Sequence, residues 1–257
     1  MNIAFQPWPN PPLDLDLSSE EVHVWRLPLD RFTGKFEEFR DILSQNENER
    51  ADRFRFEKDR RNYVVRHGLM RILLGGIYLR CQPSTVRFID GSCGKPAIVS
   101  TNDYPDLRFN LSHSDGLALF ALGKGRELGI DLERENPDKV DEGMVNQFFH
   151  QTEARELSEA PREDRIRNFF RCWTRKEAYV KARGKGLSLP LDSFAVTTNR
   201  NLNLTLKDDM DPDEAYAWKF LNLTPAIGFA GCLVVQGSDW RLRCWDVKHM
   251  HLSECLL

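Results

Sequence analysis

A chain of 257 residues can hold one large domain or two small ones with a real core, and 41% hydrophobic beside 29% charged residues fits a folded, soluble protein. The net charge of −3 argues against a general nucleic-acid binder. No apolar run approaches a membrane span, because the longest candidate, Leu117 to Leu122, is strand-sized.

Residues 1–20 read as a Pro-rich, partly extended lead-in. No Lys or Arg precedes Arg26, and Pro7, Pro9, Pro11 and Pro12 interrupt the segment, so no secretory signal is expected. The six cysteines at 81, 93, 172, 232, 244 and 255 form no CxxC pair and no zinc spacing, so reduced thiols in a cytoplasm are expected. Val22 to Leu27 alternates as a strand. Phe36, Phe39 and Leu43 recur at helical spacing. A second helical pattern runs from near Glu47 to Leu74, with a break, an expected cap at or near Asp59, and Gly75-Gly76 to stop or bend it. Short strands are expected around 86–88, 107–111, 117–122 and 128–133, the last two joined by a Gly-Lys-Gly turn at 123–125.

The second half repeats this plan faintly. A long helix is predicted over about 162–182, ended by Gly184 and Gly186, and strands near 193–197, 215–221, 229–236 and 241–247. The Gly94-Lys95-Pro96 loop of one half would face Gly184-Lys185-Gly186 of the other. The fold class expected is α+β: two pseudosymmetric lobes, residues 1–125 and 126–257, each a long helix on a small antiparallel sheet, with a ligand cleft between them.

Four stretches carry chemistry. In Gly129-Ile-Asp-Leu-Glu133, residues two apart share a strand face, so Asp131 and Glu133 project together while Ile130 and Leu132 enter the core. Paired carboxylates suit a hard cation, although two surface acids on an edge strand would read the same way. On the long helix, Ile166, Phe170, Trp173, Glu177 and Lys181 form one stripe that begins apolar and ends in a carboxylate and an ammonium, which belongs at a cleft rim; an ordinary Glu–Lys pair would look alike. Ser112-His113 ends a strand with groups that can bind phosphate or serve as a nucleophile pair, though no GxSxG elbow surrounds them for a serine hydrolase and a plain strand-to-turn transition would look alike. From Arg50 to Arg71, eight Lys or Arg stand against three acids, a local basic patch or simply a solvated helix face.

Taken in order, these motifs resemble the Sfp-type 4'-phosphopantetheinyl transferases over roughly residues 20–235. The resemblance joins Gly129-Ile-Asp-Leu-Glu133 to Trp173-Thr-Arg-Lys-Glu177-Ala-Tyr-Val-Lys181, with Gly94-Lys-Pro96 and Asn110-Leu-Ser-His113 upstream and Gly184-Lys-Gly-Leu-Ser-Leu-Pro downstream. Glu21 to Leu29 and the Arg-rich helix look most like the cyanobacterial members. The resemblance implies transfer of the phosphopantetheine arm of coenzyme A to a serine of an apo-carrier protein (acyl, polyketide or peptidyl), with release of adenosine 3',5'-bisphosphate. It implies that Asp131, Glu133 and Glu177 hold Mg²⁺, with Mn²⁺ as an alternative, and that Lys181 contacts a phosphate. It places Lys95 with Gly94 and Pro96, and His113 with Ser112, at the adenosine end and its ribose phosphate, and Arg50 and Arg53 nearest the ribose-phosphate cations. Glu47 falls near a site that is basic in some relatives. Glu177 would take the serine proton directly or through a metal-bound water, with Asp131 and Lys181 also in the catalytic set. The segment 136–150, with Met144, Val145, Phe148 and Phe149, offers a carrier-docking face or a buried amphipathic helix. A monomer without membrane or nucleic-acid partners is expected. The competing readings are a non-catalytic coenzyme A or nucleotide-binding regulator, and a nucleic-acid module built on the Arg50–Arg71 patch with Phe54, Phe56 and Tyr63.

Overall fold

The computed structural model describes residues 7–12, 14–91, 94–99, 106–140, 142–198, 206–208 and 216–249. Cys93, Cys255, Ala215 and the first six residues of the lead-in lie outside the described residues. The fold is α+β. In chain order come β1 (Glu21–Pro28), α1 (Phe36–Ile42), α2 (Gln45–Asp52), α3 (Glu57–Ile72), β2 (Phe88–Asp90), β3 (Pro96–Ile98), β4 (Leu107–Ser114), β5 (Leu117–Lys124) and β6 (Leu128–Arg134). Then follow α4 (Glu142–Phe148), α5 (Gln151–Glu159), α6 (Arg162–Arg183), β7 (Phe194–Val196), β8 (Leu206–Asp208), β9 (Trp218–Leu223), β10 (Phe229–Gln236) and β11 (Arg241–Asp246).

Two larger sheets form, ordered β11-β1-β5-β4 and β6-β10-β9. The period-2 pattern of the strands explains how they stack. Val22, Val24, Leu117, Leu119 and Ala121 of the first sheet share one buried cluster with Leu128, Ile130, Leu132, Leu233 and Val235 of the second. The alternate residues turn outward to helices. Trp25, Leu27, Ala118, Phe120 and Leu122 join Val65, Leu69 and Ile72 of α3. Ala230, Cys232 and Val234 join Phe170, Ala178 and Ala182 of α6. The layers therefore run α3, sheet, sheet, α6.

The second sheet is antiparallel throughout. The first is mixed, because β11 pairs parallel with β1 instead of extending the second sheet. Asp246, fully buried, anchors it through an ion pair with Arg26. A strand from beyond residue 125 thus completes the sheet of the N-terminal half.

The helix that begins near Glu47 is two helices. Ser44 caps α2 in a capping box with Glu47, and α3 starts after Phe56, with no side-chain cap from Asp59. Past Ile72 the backbone does not stop at Gly75-Gly76 but widens into a π-turn over Leu73–Leu79, closed by Arg80 in the left-handed region. Arg66 and Arg71 are buried, so the basic run is not wholly a solvated face. Arg71 pairs with Glu47 at 2.7 Å and donates to the carbonyls of Pro83 and Val86. Glu47 is therefore a structural acid.

Candidate active site at the seam of the two sheets

Gly129 is the residue that brings strand and helix together. A Cβ there would stand 2.1 Å from the Ala178 carbonyl oxygen and 2.3 Å from the Ala182 nitrogen, so only glycine lets the α6 backbone lie against β6. Asp131 and Glu133 share the Gly129 face of β6, while Ile130 and Leu132 are fully buried on the other, as their spacing predicts. Where α6 crosses, Glu177 and Lys181 flank Ala178. Lys181 Nζ stands 2.5 Å from Asp131 Oδ1 and 3.3 Å from Ser112 Oγ.

The acids feel one another. Burial, then Asp131, then Glu133 raise the pKa of Glu177, with Lys181 opposing. Burial and Asp131 likewise raise that of Glu133, opposed by its bond from Ser114 and by Lys139 and Lys181. Asp131 is only 3% exposed, and its Oδ2 is buried with no hydrogen-bond partner. An orphaned carboxylate oxygen with two further carboxylates within electrostatic reach is a donor set that fits a hard, oxygen-seeking cation. Among the described residues, no three His, Cys, Asp or Glu side chains yet close on one point; Lys181 supplies the neutralising charge at Asp131.

The carboxylates straddle two cavities. Glu177 and Lys181 wall one of about 480 Å³, with Phe148, Val180, Leu189 and Leu191 as its apolar side. Gly94, Lys95, Pro96, Gly184 and Gly186 line it too, so the two Gly-Lys loops meet there. Lys95 is tied within the wall, donating to Glu127 at 3.1 Å and to the Leu128 carbonyl at 2.9 Å. Glu133, Ser114 and His113 open instead on a cavity of about 540 Å³ walled by Arg66, Lys58 and Lys139. Desolvation there, with Arg66 and Lys181 nearby, pushes the His113 imidazole down to about 4. Lys95 and His113 therefore face different spaces. Arg50 and Arg53 line a third hollow of about 600 Å³, which shares Phe54 with the second. Phe148 closes the first cavity, whereas Phe149 is buried against Phe169.

Three features escape a sequence reading that looks for motifs. Arg66 is 8% exposed, lines the His113 cavity and pairs with no acid among the described residues; burial lowers its pKa to about 10. A buried guanidinium without a counter-ion is an anion receptor. Lys176, inside the motif, faces the core instead of the cleft: it pairs with buried Glu153 at 2.6 Å and donates to the Phe194 carbonyl. Asn110 and Ser114, flanking Ser112 on β4, bond to β6. The signal for the last was present in the alternation of polar 110, 112 and 114 with apolar 107, 109 and 111 on a strand buried on both faces.

Known proteins match this chain along most of its length. The family described as the 4'-phosphopantetheinyl transferase superfamily matches residues 127–240, and the one described as 4'-phosphopantetheinyl transferase, N-terminal, matches residues 31–123. The 4'-phosphopantetheinyl transferase HetI of Nostoc sp. is 38% identical over 237 residues, 92% of this chain and 96% of that one. The 4'-phosphopantetheinyl transferase Sfp of Bacillus subtilis is 32% identical over 68% of this chain and 76% of its own. A Synechocystis sp. protein is 32% identical over 91% of each.

Proposed function

The chain belongs to the 4'-phosphopantetheinyl transferase superfamily, and from that premise we propose how its cleft moves the phosphopantetheine arm of coenzyme A onto a serine of a carrier protein. The observation that carries the reading is the contact of Lys181 from α6 with Asp131 of β6, beside an unpaired buried oxygen of Asp131, with Glu133 and Glu177 near enough for their charges to act on one another. A regulator that only binds coenzyme A would have no use for three mutually repelling acids.

Asp131, Glu133 and Glu177 are proposed to hold Mg²⁺ or Mn²⁺, which would supply positive charge against the diphosphate. Lys181, within reach of Asp131 Oδ1, turns its ammonium to a phosphate oxygen of the bound substrate. Arg66 and His113, with Arg50 and Arg53 in the adjoining hollow, take the ribose phosphate, and Lys95 with Gly94 and Pro96 lines the separate cavity that holds Glu177 and Lys181. The carrier serine oxygen bonds to the phosphorus that bears pantetheine. The bond from that phosphorus to the bridging oxygen breaks, and adenosine 3',5'-bisphosphate leaves. Glu177, which extends the apolar stripe of α6 to the cavity wall, is placed to accept the serine proton directly or through a water. The two sheets with their helices are read as two lobes about the cleft, acting as a monomer in the cytoplasm. No helix among the described residues is long and apolar enough to cross a membrane.

Mass spectrometry of acyl, polyketide and peptidyl apo-carriers, incubated with the protein, coenzyme A and Mg²⁺, tests the reading. It predicts the added mass of phosphopantetheine on one serine; no modification of any of the three classes would overturn it.

A further inference from the structure

β4 and β6 are edge strands of different sheets, and no backbone ladder joins them. Alternate N–H groups of β6 still need acceptors, since the strand is buried. Side chains of β4 provide them. Ile130 N donates to Asn110 Oδ1 at 2.8 Å, Leu132 N to Ser112 Oγ at 3.3 Å, and Arg134 N to Ser114 Oγ at 3.0 Å. The offset is 20 residues each time, so the two strands run in step.

Each serine has one proton left to give, and an acid receives it. Ser112 Oγ donates to Asp131 Oδ1 at 2.8 Å, and Ser114 Oγ donates to Glu133 Oε2 at 3.0 Å. Asn110 reaches the same strand beside Gly129, where there is no acid to hold. The seam thus separates two tasks: all three side chains tie the sheets, and two of them also aim carboxylates.

We propose that Ser114 is a positioning residue for the transfer reaction, holding Glu133 beside Asp131 while it fastens β6 to β4. The proposal rests on the transferase reading above, in which Glu133 is an acid of the site. Ser114 is 8% exposed and fixed at both ends, its Oγ accepting from Arg134 N and donating to Glu133 Oε2, so its hydroxyl holds the carboxylate in a way that a mobile water in the cavity does not. Without it, Glu133 is free to swing within the cavity it already lines, toward Arg66 and Lys139 and away from Asp131.

The test compares Ser114→Ala, Ser114→Thr and Asn110→Ala in the full chain. The readouts are kcat, KM for coenzyme A, thermal midpoint, and Mn²⁺ affinity without coenzyme A, from paramagnetic resonance of free Mn²⁺. Ser114→Ala is expected to lose about tenfold in kcat and in Mn²⁺ affinity, the scale of one hydrogen bond to a charged group, with KM within about twofold. Ser114→Thr, which keeps the hydroxyl, recovers both to within about threefold. Asn110→Ala, which cuts the seam but touches no acid, lowers the thermal midpoint while Mn²⁺ affinity stays within about twofold. If Ser114→Ala does not fold, Ser114→Cys, a weaker donor of similar shape, is read in its place against the same outcomes. Unchanged Mn²⁺ affinity in Ser114→Ala, failure of Thr to restore it, an equal loss in Asn110→Ala, or no Mn²⁺ binding by the unaltered protein would each overturn the proposal. Failure to modify any carrier strikes the transferase reading, and the Mn²⁺ titrations still decide what Ser114 holds.

Discussion

At the scale of single residues, Glu177 is an acid held where its charge is unwelcome. Its folded pKa is raised above the ordinary carboxylate value of 4.5 by burial, Asp131 and Glu133. The folded protein therefore binds this proton more tightly than the unfolded chain does. The stability Glu177 contributes is present below about 4.5 and lost as pH rises through the raised value. In chelator-treated protein, Glu177→Gln is expected to raise the thermal midpoint at pH 7 and to flatten its decline as pH rises above the ordinary carboxylate value of 4.5. A lowered midpoint at pH 7 would contradict the crowding of the three acids. Arg66 makes a second test. Arg66→Ala should weaken coenzyme A binding at least tenfold more than binding of the analogue lacking the ribose phosphate, since charge-assisted bonds contribute about 1.5–3 kcal/mol. Equal losses, measured by calorimetry, would remove Arg66 from that phosphate. The shared face of Asp131 and Glu133 was legible in the sequence because strand spacing decides it. Arg66 was not, because burial within a run of eight cations depends on which way α3 rolls against the first sheet.

At the scale of elements, the close packing of α6 on β6 decides whether the acids meet. Gly129→Ala would drive a methyl into the helix backbone, where no flexible side chain can yield. It should cost about 1–3 kcal/mol in urea unfolding and reduce kcat more than KM, because the shift displaces Glu177 and Lys181 together. A variant as stable and active as the parent would show that the helix is not seated there. The helix itself was readable: the stripe from Ile166 to Lys181 and Gly184 beyond it predicted its course, and the structure runs it over Arg162–Arg183 with Gly184 in the left-handed region at φ 61°. The sequence did not reveal that Lys176 turns inward to Glu153. That partner lies 23 residues away on α5, and helical spacing says nothing of which neighbour a helix meets. The widening of the helix at Leu73–Leu79 was equally hidden, because glycines mark a break without specifying whether the chain stops or loosens.

At the scale of the molecule, local patterns gave the strands their faces but not their neighbours. The segment 241–247 alternates as a strand wherever it is placed, and its parallel pairing with β1 depends on the long-range ion pair of Asp246 with Arg26 and on a shared core with Val22 and Val24. The seam between β4 and β6 is of the same kind, visible only once two sheet edges are known to meet. The proposed transfer requires acids from β6 and α6 to act as one site across that architecture. Its most direct test is the anomalous difference map of a crystal grown with coenzyme A and Mn²⁺. One peak is expected about 2.0–2.6 Å from oxygens of Asp131, Glu133 and Glu177, with Lys181 moved off Asp131 onto a phosphate. A peak elsewhere, or Glu177 turned away from Asp131 with coenzyme A bound, would contradict it.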